Sequence, residues 1–269
     1  MIAQTEFMVT KEYRRFAEFC DACLRSRYIG LCYGLPGVGK TLSARHYTQW
    51  ELLEPLLAKN RSAQNPPVEV MGCHTVLYTP AVANTPKRIE EEVRSLRMGL
   101  SYLIDDAEHV QRGEEDWTFS YSPPERTDLL VVDEADRLKF LGLEQVRDIY
   151  DRSHIGLVLI GMPGLEKRLA RYPQLYSRVG FVHEFHPLSL EEARFILQQR
   201  WQQWGLELQA DDFTDMEVVT AILRITEGNF RLIHRLLSQV ERILQINELR
   251  TVTKEVIEVA REQLVIGQR

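Results

Sequence analysis

The sequence lacks any run near the roughly 18 consecutive apolar residues that a membrane-crossing helix needs, and no membrane partner is read from it. Its first stretch, MIAQTEFMVTKEYRR, lacks a basic segment followed by a long apolar one. No secretory leader is therefore read, and a cytoplasmic location is the expectation. Cysteine is scarce, with four in 269 residues, which leaves no room for a disulfide scaffold in such a compartment. Cys20 and Cys23 form a C-x-x-C and His74 follows Cys73, so zinc has to be weighed. Phe16, Cys20, Cys23 and Leu24 share one helical face, however, and Cys32 lies inside an apolar strand run, so the thiols read as small core residues. Positive charge is in deficit: the formal net charge is -6, and any phosphate-binding surface has to be a local strip on an acidic body. Lysine is scarcer still, 7 of the 33 basic residues, so arginine, which makes forked contacts to phosphate and carboxylate, carries most of the positive charge.

What is present has an alternating pattern. Helical periodicity covers Lys11 to Arg27, and YIGLCY (Tyr28 to Tyr33) is a short buried strand. GLPGVGKT follows, then one helix over Lys40 to Ala58 and a polar, proline-containing loop over Asn60 to Pro67. TVLYT (Thr75 to Thr79) predicts a second strand. Thr85-Pro86 then marks a helix start, a capping hydroxyl followed by proline, with Ile89, Val93, Leu96, Leu100 and Leu103 at helical spacing. Asp105 to Thr127 is acidic and turn-rich and reads as a surface insertion. LLVVD (Leu129 to Asp133), IGLVLIG (Ile155 to Gly161) and FVHEF (Phe181 to Phe185) complete five strands. Strands alternating with helices predict a parallel sheet covered on both faces. After Pro187 only helical periodicity remains, which predicts domains at 1–186 and 187–269, the second one all-helical. In that part Ile222, Ile225, Ile233, Leu236 and Leu237 are read as core, as are Trp201 and Trp204 between helices.

Gly34-Leu35-Pro36-Gly37-Val38-Gly39-Lys40-Thr41 satisfies G-x-x-x-x-G-K-[ST], with a strand before it and a helix after it. Its glycines let backbone N–H groups turn inward around phosphates, and the helix N-terminus adds partial positive charge. Lys40 is placed to neutralise β- and γ-phosphates and the Thr41 hydroxyl to hold Mg²⁺; with Leu42, the stretch is the expected ATP-binding segment. Asp133, at the end of an apolar strand, is the second expected Mg²⁺ residue, and Glu134 is the expected catalytic acceptor that polarises the attacking water. The alternative for Glu134 is a solvated acid at a strand end. Asp133-Glu134-Ala135-Asp136 also spells a helicase motif, but such helicases need two domains of this kind and the chain has room for one.

Together these motifs resemble the AAA+ ATPases, over nearly the whole chain. The resemblance implies a three-layer αβα P-loop NTPase fold with strand order 5-1-4-3-2 and a small helical lid. It implies an arginine finger at Arg178, after Ser177, acting catalytically on a neighbour's ATP, with Arg171 as the fallback and a plain surface ion pair as the alternative. Pro187-Leu188-Ser189-Leu190-Glu191-Glu192-Ala193 resembles the entry to the lid. Gly228-Asn229-Phe230-Arg231 resembles the motif that brings Arg231 to the nucleotide; a lid surface charge is the alternative. Within AAA+, GLPGVGKT, VVDEADRL, GMPGLEKRL and TEGNFRLIHRLL are most similar to the TnsC/TniB/MuB group of DNA transposition regulators. That likeness implies ATP-dependent homo-oligomers, rings or helical filaments, on double-stranded DNA, with a transposase and a target-selection protein as partners. Helicase loaders and secretion or signalling ATPases are the neighbouring alternatives.

Two further expectations concern detail. AAA+ proteins usually carry a polar residue just after the fourth strand; here the stretch is Gly161-Met162-Pro163, which offers no hydroxyl or amide and implies slow hydrolysis. Lys87, Arg88, Arg94 and Arg97 lie on or beside the helix after the second strand and are the candidate DNA contacts, against the alternative of a solvated face with a Glu90–Arg94 pair.

Overall fold

The computed structural model describes residues 7–58, 66–113, 124–206 and 213–264. Most of the polar loop expected at 60–67 and the middle of the acidic stretch, 114–123, lie outside the described residues. The chain divides into two compact units. One comprises 13–34 and 40–184; the other comprises 185–269 together with 1–12 and the glycine-rich segment 35–39.

Among the described residues, five strands and seven α-helices build the first unit, in the order α1 (Lys11–Ser26), β1 (Ile29–Gly34), α2 (Lys40–Tyr47), α3 (Trp50–Ala58), β2 (Thr75–Tyr78), α4 (Pro86–Arg112), β3 (Leu129–Val132), α5 (Phe140–Ser153), β4 (Gly156–Gly161), α6 (Leu165–Leu169), α7 (Pro173–Tyr176) and β5 (Val179–Phe185). The strands form one parallel sheet in the order β2-β3-β4-β1-β5, the order that the resemblance implied. Val131 pairs with Leu77 on one side and Val158 on the other, and Leu31 pairs with Leu159. Every residue of β2, β3 and β4 is buried, as a sheet covered on both faces requires, whereas β5 alternates and forms an edge.

Helix α1 lies close on β1. A Cβ at Gly30 would sit 2.3 Å from Cys23 Sγ and 2.7 Å from the Phe19 ring, so this strand position has no room for a side chain. Cys20 and Cys23 are fully buried, and burial pushes both thiols up, Cys23 to about 12, which keeps them protonated core groups.

Two expectations are corrected. The single helix expected over Lys40 to Ala58 is two: the Thr48 hydroxyl donates to the Ala44 carbonyl at 2.9 Å, and Gln49 adopts φ 51°, which ends α2 before α3 starts. The acidic stretch does not leave the helix at Asp105. Thr85 caps α4, its side chain accepting from the Arg88 N–H, and the helix runs on to Arg112, where Gly113 at φ 68° stops it. The apolar spacing continues through Leu100, Ile104 and Ala107, all buried, and local acidity does not outweigh it.

The second unit holds α8 (Leu190–Gln203), α9 (Phe213–Thr226), α10 (Phe230–Ile246) and α11 (Lys254–Glu262). Ser189 and Glu192 form a reciprocal capping box at the start of α8. Ile222, Ile233, Leu236, Leu237 and Trp201 share one apolar cluster, against which Trp204 packs at a ring separation of 5.2 Å. The described part of the N-terminus groups here because the buried Glu12 is held from both sides: its N–H donates to Glu192 Oε1 at 2.9 Å and its carboxylate accepts from the His186 N–H at 3.2 Å. Among the described residues no helix is long and apolar enough to cross a membrane.

Replacing Gly30 by Ala is expected to destabilise the chain by about 1–3 kcal/mol, because the methyl group overpacks the α1–β1 contact. Urea unfolding measures this, and an unchanged midpoint would contradict the packing described.

Candidate functional site

The site begins where β1 delivers Gly34. The next five residues turn tightly, with Gly37 at φ 82° and Gly39 at φ 113°, and α2 starts at Lys40. At Gly37 two demands coincide. The left-handed backbone disfavours a side chain, and a Cβ would lie 2.6 Å from Asn229 Oδ1. Lys40 Nζ donates to the Gly34 carbonyl at 2.6 Å, so its ammonium folds back over the start of the turn.

β3 carries Asp133 to its C-terminal end, where the residue is 3% exposed. One carboxylate oxygen accepts from the Thr41 hydroxyl at 2.7 Å, the other from the Glu134 N–H at 2.9 Å. A hydroxyl and a buried carboxylate in direct contact form a hard oxygen donor pair of the kind Mg²⁺ takes. The residues present therefore fit metal-bound phosphate: ammonium, hydroxyl and carboxylate meet at one end of the sheet.

Glu134 sits at φ 50°, the left-handed region, and its carboxylate is ion-paired with Arg137 one turn on. Arg137 also donates to the Pro80 carbonyl beyond β2 at 2.9 Å, and its own carbonyl accepts from the Asn84 amide at 3.2 Å. Asp136 reaches the other way, accepting the Met162 N–H at 2.7 Å. Gly161 permits that approach, since a Cβ there would lie 2.5 Å from the Asp136 carboxylate. The turn after β3 is thus braced to both neighbouring strand ends. Asp136 and Arg137 stand in the VVDEADRL stretch of the resemblance, which gave neither a role at the site.

The remaining expected residues fall into three situations. Arg178 is held within its own chain: Nε and Nη2 donate to Asp151 at 2.6 and 3.0 Å, and Nη1 donates to the Gln174 carbonyl. Arg171 is exposed. Arg231 stands at the glycine-rich turn, its backbone N–H donating to the Gly37 carbonyl at 2.9 Å, with its side chain exposed. The basic residues of α4 separate. Lys87 pairs with Glu91 and Arg88 with Glu92 on the exposed surface, and Arg94 is exposed. Arg97 turns inward, only 11% exposed, bonded to Ser153 at 2.7 Å and Glu125 at 3.1 Å. Its positive charge is already matched under cover, so it is removed from the candidate DNA contacts. Glu90 pairs with Arg152 on α5 rather than with Arg94. Leu35 and Leu42 flank the turn as exposed apolar residues.

Residues 24–169 match the AAA domain family. A potential ATP-binding protein of Staphylococcus aureus is 46% identical over 100% of both chains. The Mu-like prophage FluMu DNA transposition protein B of Haemophilus influenzae is 32% identical over 240 residues, 84% of this chain and 70% of that protein. Among solved structures, the RuvB Holliday junction branch migration motor of Thermotoga maritima superposes with a TM-score of 0.59 at 17% identity, over 96% of this chain and 70% of that one. The ADP form of the Aeropyrum pernix ORC2 protein gives 0.56 at 16% identity, over 96% and 70%. These two structures share the fold. The chain belongs to the AAA domain family and is an AAA+ ATPase.

Proposed function

We propose that this ATPase is a DNA transposition regulator. In its ATP-bound state copies of the chain assemble as a ring or helical filament on double-stranded DNA and recruit a transposase, with a target-selection protein as a further partner. The observation that carries this reading is the 32% identity to a DNA transposition protein B across 84% of the chain. The motif set GLPGVGKT, VVDEADRL and TEGNFRLIHRLL supports it. As an AAA+ ATPase the chain takes ATP with Mg²⁺, and the metal supplies positive charge on the β- and γ-phosphate oxygens. In the proposed site, Gly34 to Leu42 bind the triphosphate, Lys40 neutralises its outer phosphates, and Thr41 and Asp133 hold the metal. Glu134 accepts the proton of the attacking water, and Arg231 reaches the phosphates. Arg178 leaves Asp151 on assembly and stabilises charge on a neighbour's transferring phosphoryl group. Lys87, Arg88 and Arg94 form the DNA-facing strip, making backbone contacts that weaken steeply with salt.

Two features favour slow turnover in the isolated subunit. Met162 follows β4 where a polar group would help position water. The ion pair with Arg137 occupies the Glu134 carboxylate, which has to leave that partner to meet an attacking water.

The test of the proposal compares assembly and binding with double-stranded DNA, single-stranded DNA and no DNA, each with ATP and with ADP, imaged for rings or filaments. ATP-dependent polymers on duplex DNA are the expected result. Preference for single strands would point instead to a helicase loader, and indifference to DNA to a secretion or signalling ATPase. Arg178→Ala is expected to keep ATP binding and to lower turnover of the assembled protein about a hundredfold or more; normal turnover at saturating protein would remove the finger assignment. Arg137→Ala is expected to raise DNA-independent phosphate release about two- to fivefold, the scale of a partly exposed ion pair. Unchanged or lower release would show that the pair does not restrain Glu134.

A further inference from the structure

We infer that Asn229 is a positioning residue for the nucleotide-binding turn, fixing from outside the direction in which its N–H groups point. The inference rests on reading Gly34 to Thr41 as the ATP site. A trans peptide is planar, so the carbonyl of one residue and the N–H of the next point in opposite directions. Whatever holds a carbonyl on the outside of the turn therefore aims the following N–H inward. The Asn229 amide donates to the Pro36 carbonyl at 2.8 Å, which sets the Gly37 N–H. The Arg231 N–H donates to the Gly37 carbonyl at 2.9 Å, which sets the Val38 N–H. Two successive N–H groups of the anion-binding turn are thereby oriented by the start of one helix.

The same Asn229 side chain caps that helix. Its Oδ1 accepts the Leu232 N–H of α10 at 3.2 Å while its Nδ2 serves the turn. The capping bond decides which end of the amide faces Pro36, because only the nitrogen can donate to a carbonyl. Capping and loop orientation are thus one side chain's two bonds. The first turn of α10 and the phosphate-binding conformation of residues 36–38 hold or fail together, which gives nucleotide occupancy a direct line to α10. A short capping residue such as Ser keeps the first bond and lacks the reach for the second.

The test uses the full chain with Asn229→Ser, Asn229→Ala and Lys40→Ala. Dissociation constants are measured for fluorescently labelled ATP and ADP with Mg²⁺, alongside thermal unfolding midpoints without nucleotide. Asn229→Ser is expected to leave the midpoint within about 2 °C of the parent and to weaken both nucleotides about tenfold, a loss that capping alone does not produce. Asn229→Ala is expected to weaken them equally and to lower the midpoint as well. Parent-like affinity in Asn229→Ser, with Lys40→Ala impaired, overturns the role of Asn229 alone. A parent that binds neither nucleotide overturns the ATP-site reading and this inference together.

Discussion

The buried carboxylate of Asp133 is the constraint on which the rest of the site depends. A charged group at 3% exposure is costly unless both oxygens are satisfied, and here a hydroxyl and a backbone N–H satisfy them. The Thr41 hydroxyl fixes the separation between α2 and the end of β3. The Glu134 N–H fixes the turn that follows. A parallel sheet alone brings strand ends to one edge, but this pair of bonds sets the distance between the start of α2 and the acid. Under the proposed function Thr41 and Asp133 would hold Mg²⁺, which would supply positive charge to the outer phosphates.

The turn after β3 shows how that constraint spreads. Asp136 reaches the end of β4 through the Met162 N–H, and Arg137 reaches the segment beyond β2 through the Pro80 carbonyl. Glu134 sits between them in a left-handed conformation that a non-glycine residue adopts only when its surroundings hold it there. The segment beyond β2 leads directly into α4 and its exposed Lys87 and Arg88. Under the proposed function, contact with DNA on that segment and the availability of Glu134 are joined through a single arginine.

The parts of the protein governed by local pattern were legible in the sequence. The buried runs of β1 to β4, the Thr85-Pro86 helix start and the glycine spacing of Gly34 to Thr41 each report a local physical requirement. The strand order came from family resemblance rather than from any run of residues. Tertiary effects were not legible. Nothing in the letters of Lys40 to Ala58 marks Gln49 as the break, since the Thr48 hydroxyl decides it by bonding backward. The acidity of Asp105 to Arg112 suggested a loop because charge is visible in a sequence and the burial of Ile104 and Ala107 is not. Arg97 was assigned to the surface by periodicity, but Ser153 and Glu125, both distant in sequence, hold it inward. Asn229 was read only as the neighbour of Arg231, because its contact with Pro36 spans 193 positions.

Charge closes the account of how such an acidic chain could serve DNA. Arginine dominates its basic residues, yet many of the described arginines are already matched: Arg147 with Glu144 and Asp151, Arg152 with Glu90 and Asp148, Arg178 with Asp151, Arg224 with Glu258. Pairing of this kind reduces the positive charge that those arginines offer to a phosphate backbone, and the attraction of a short exposed strip is easily screened. Repetition changes the magnitude. Under the proposed function, copies held in fixed register along a duplex would each contribute a weak strip at high effective concentration, and the sum would exceed any one contact by orders of magnitude. For a chain of net charge -6, DNA binding that follows assembly is electrostatically easier than binding that precedes it. The nucleotide site, by governing assembly, would then govern affinity for DNA without any residue of that site touching it.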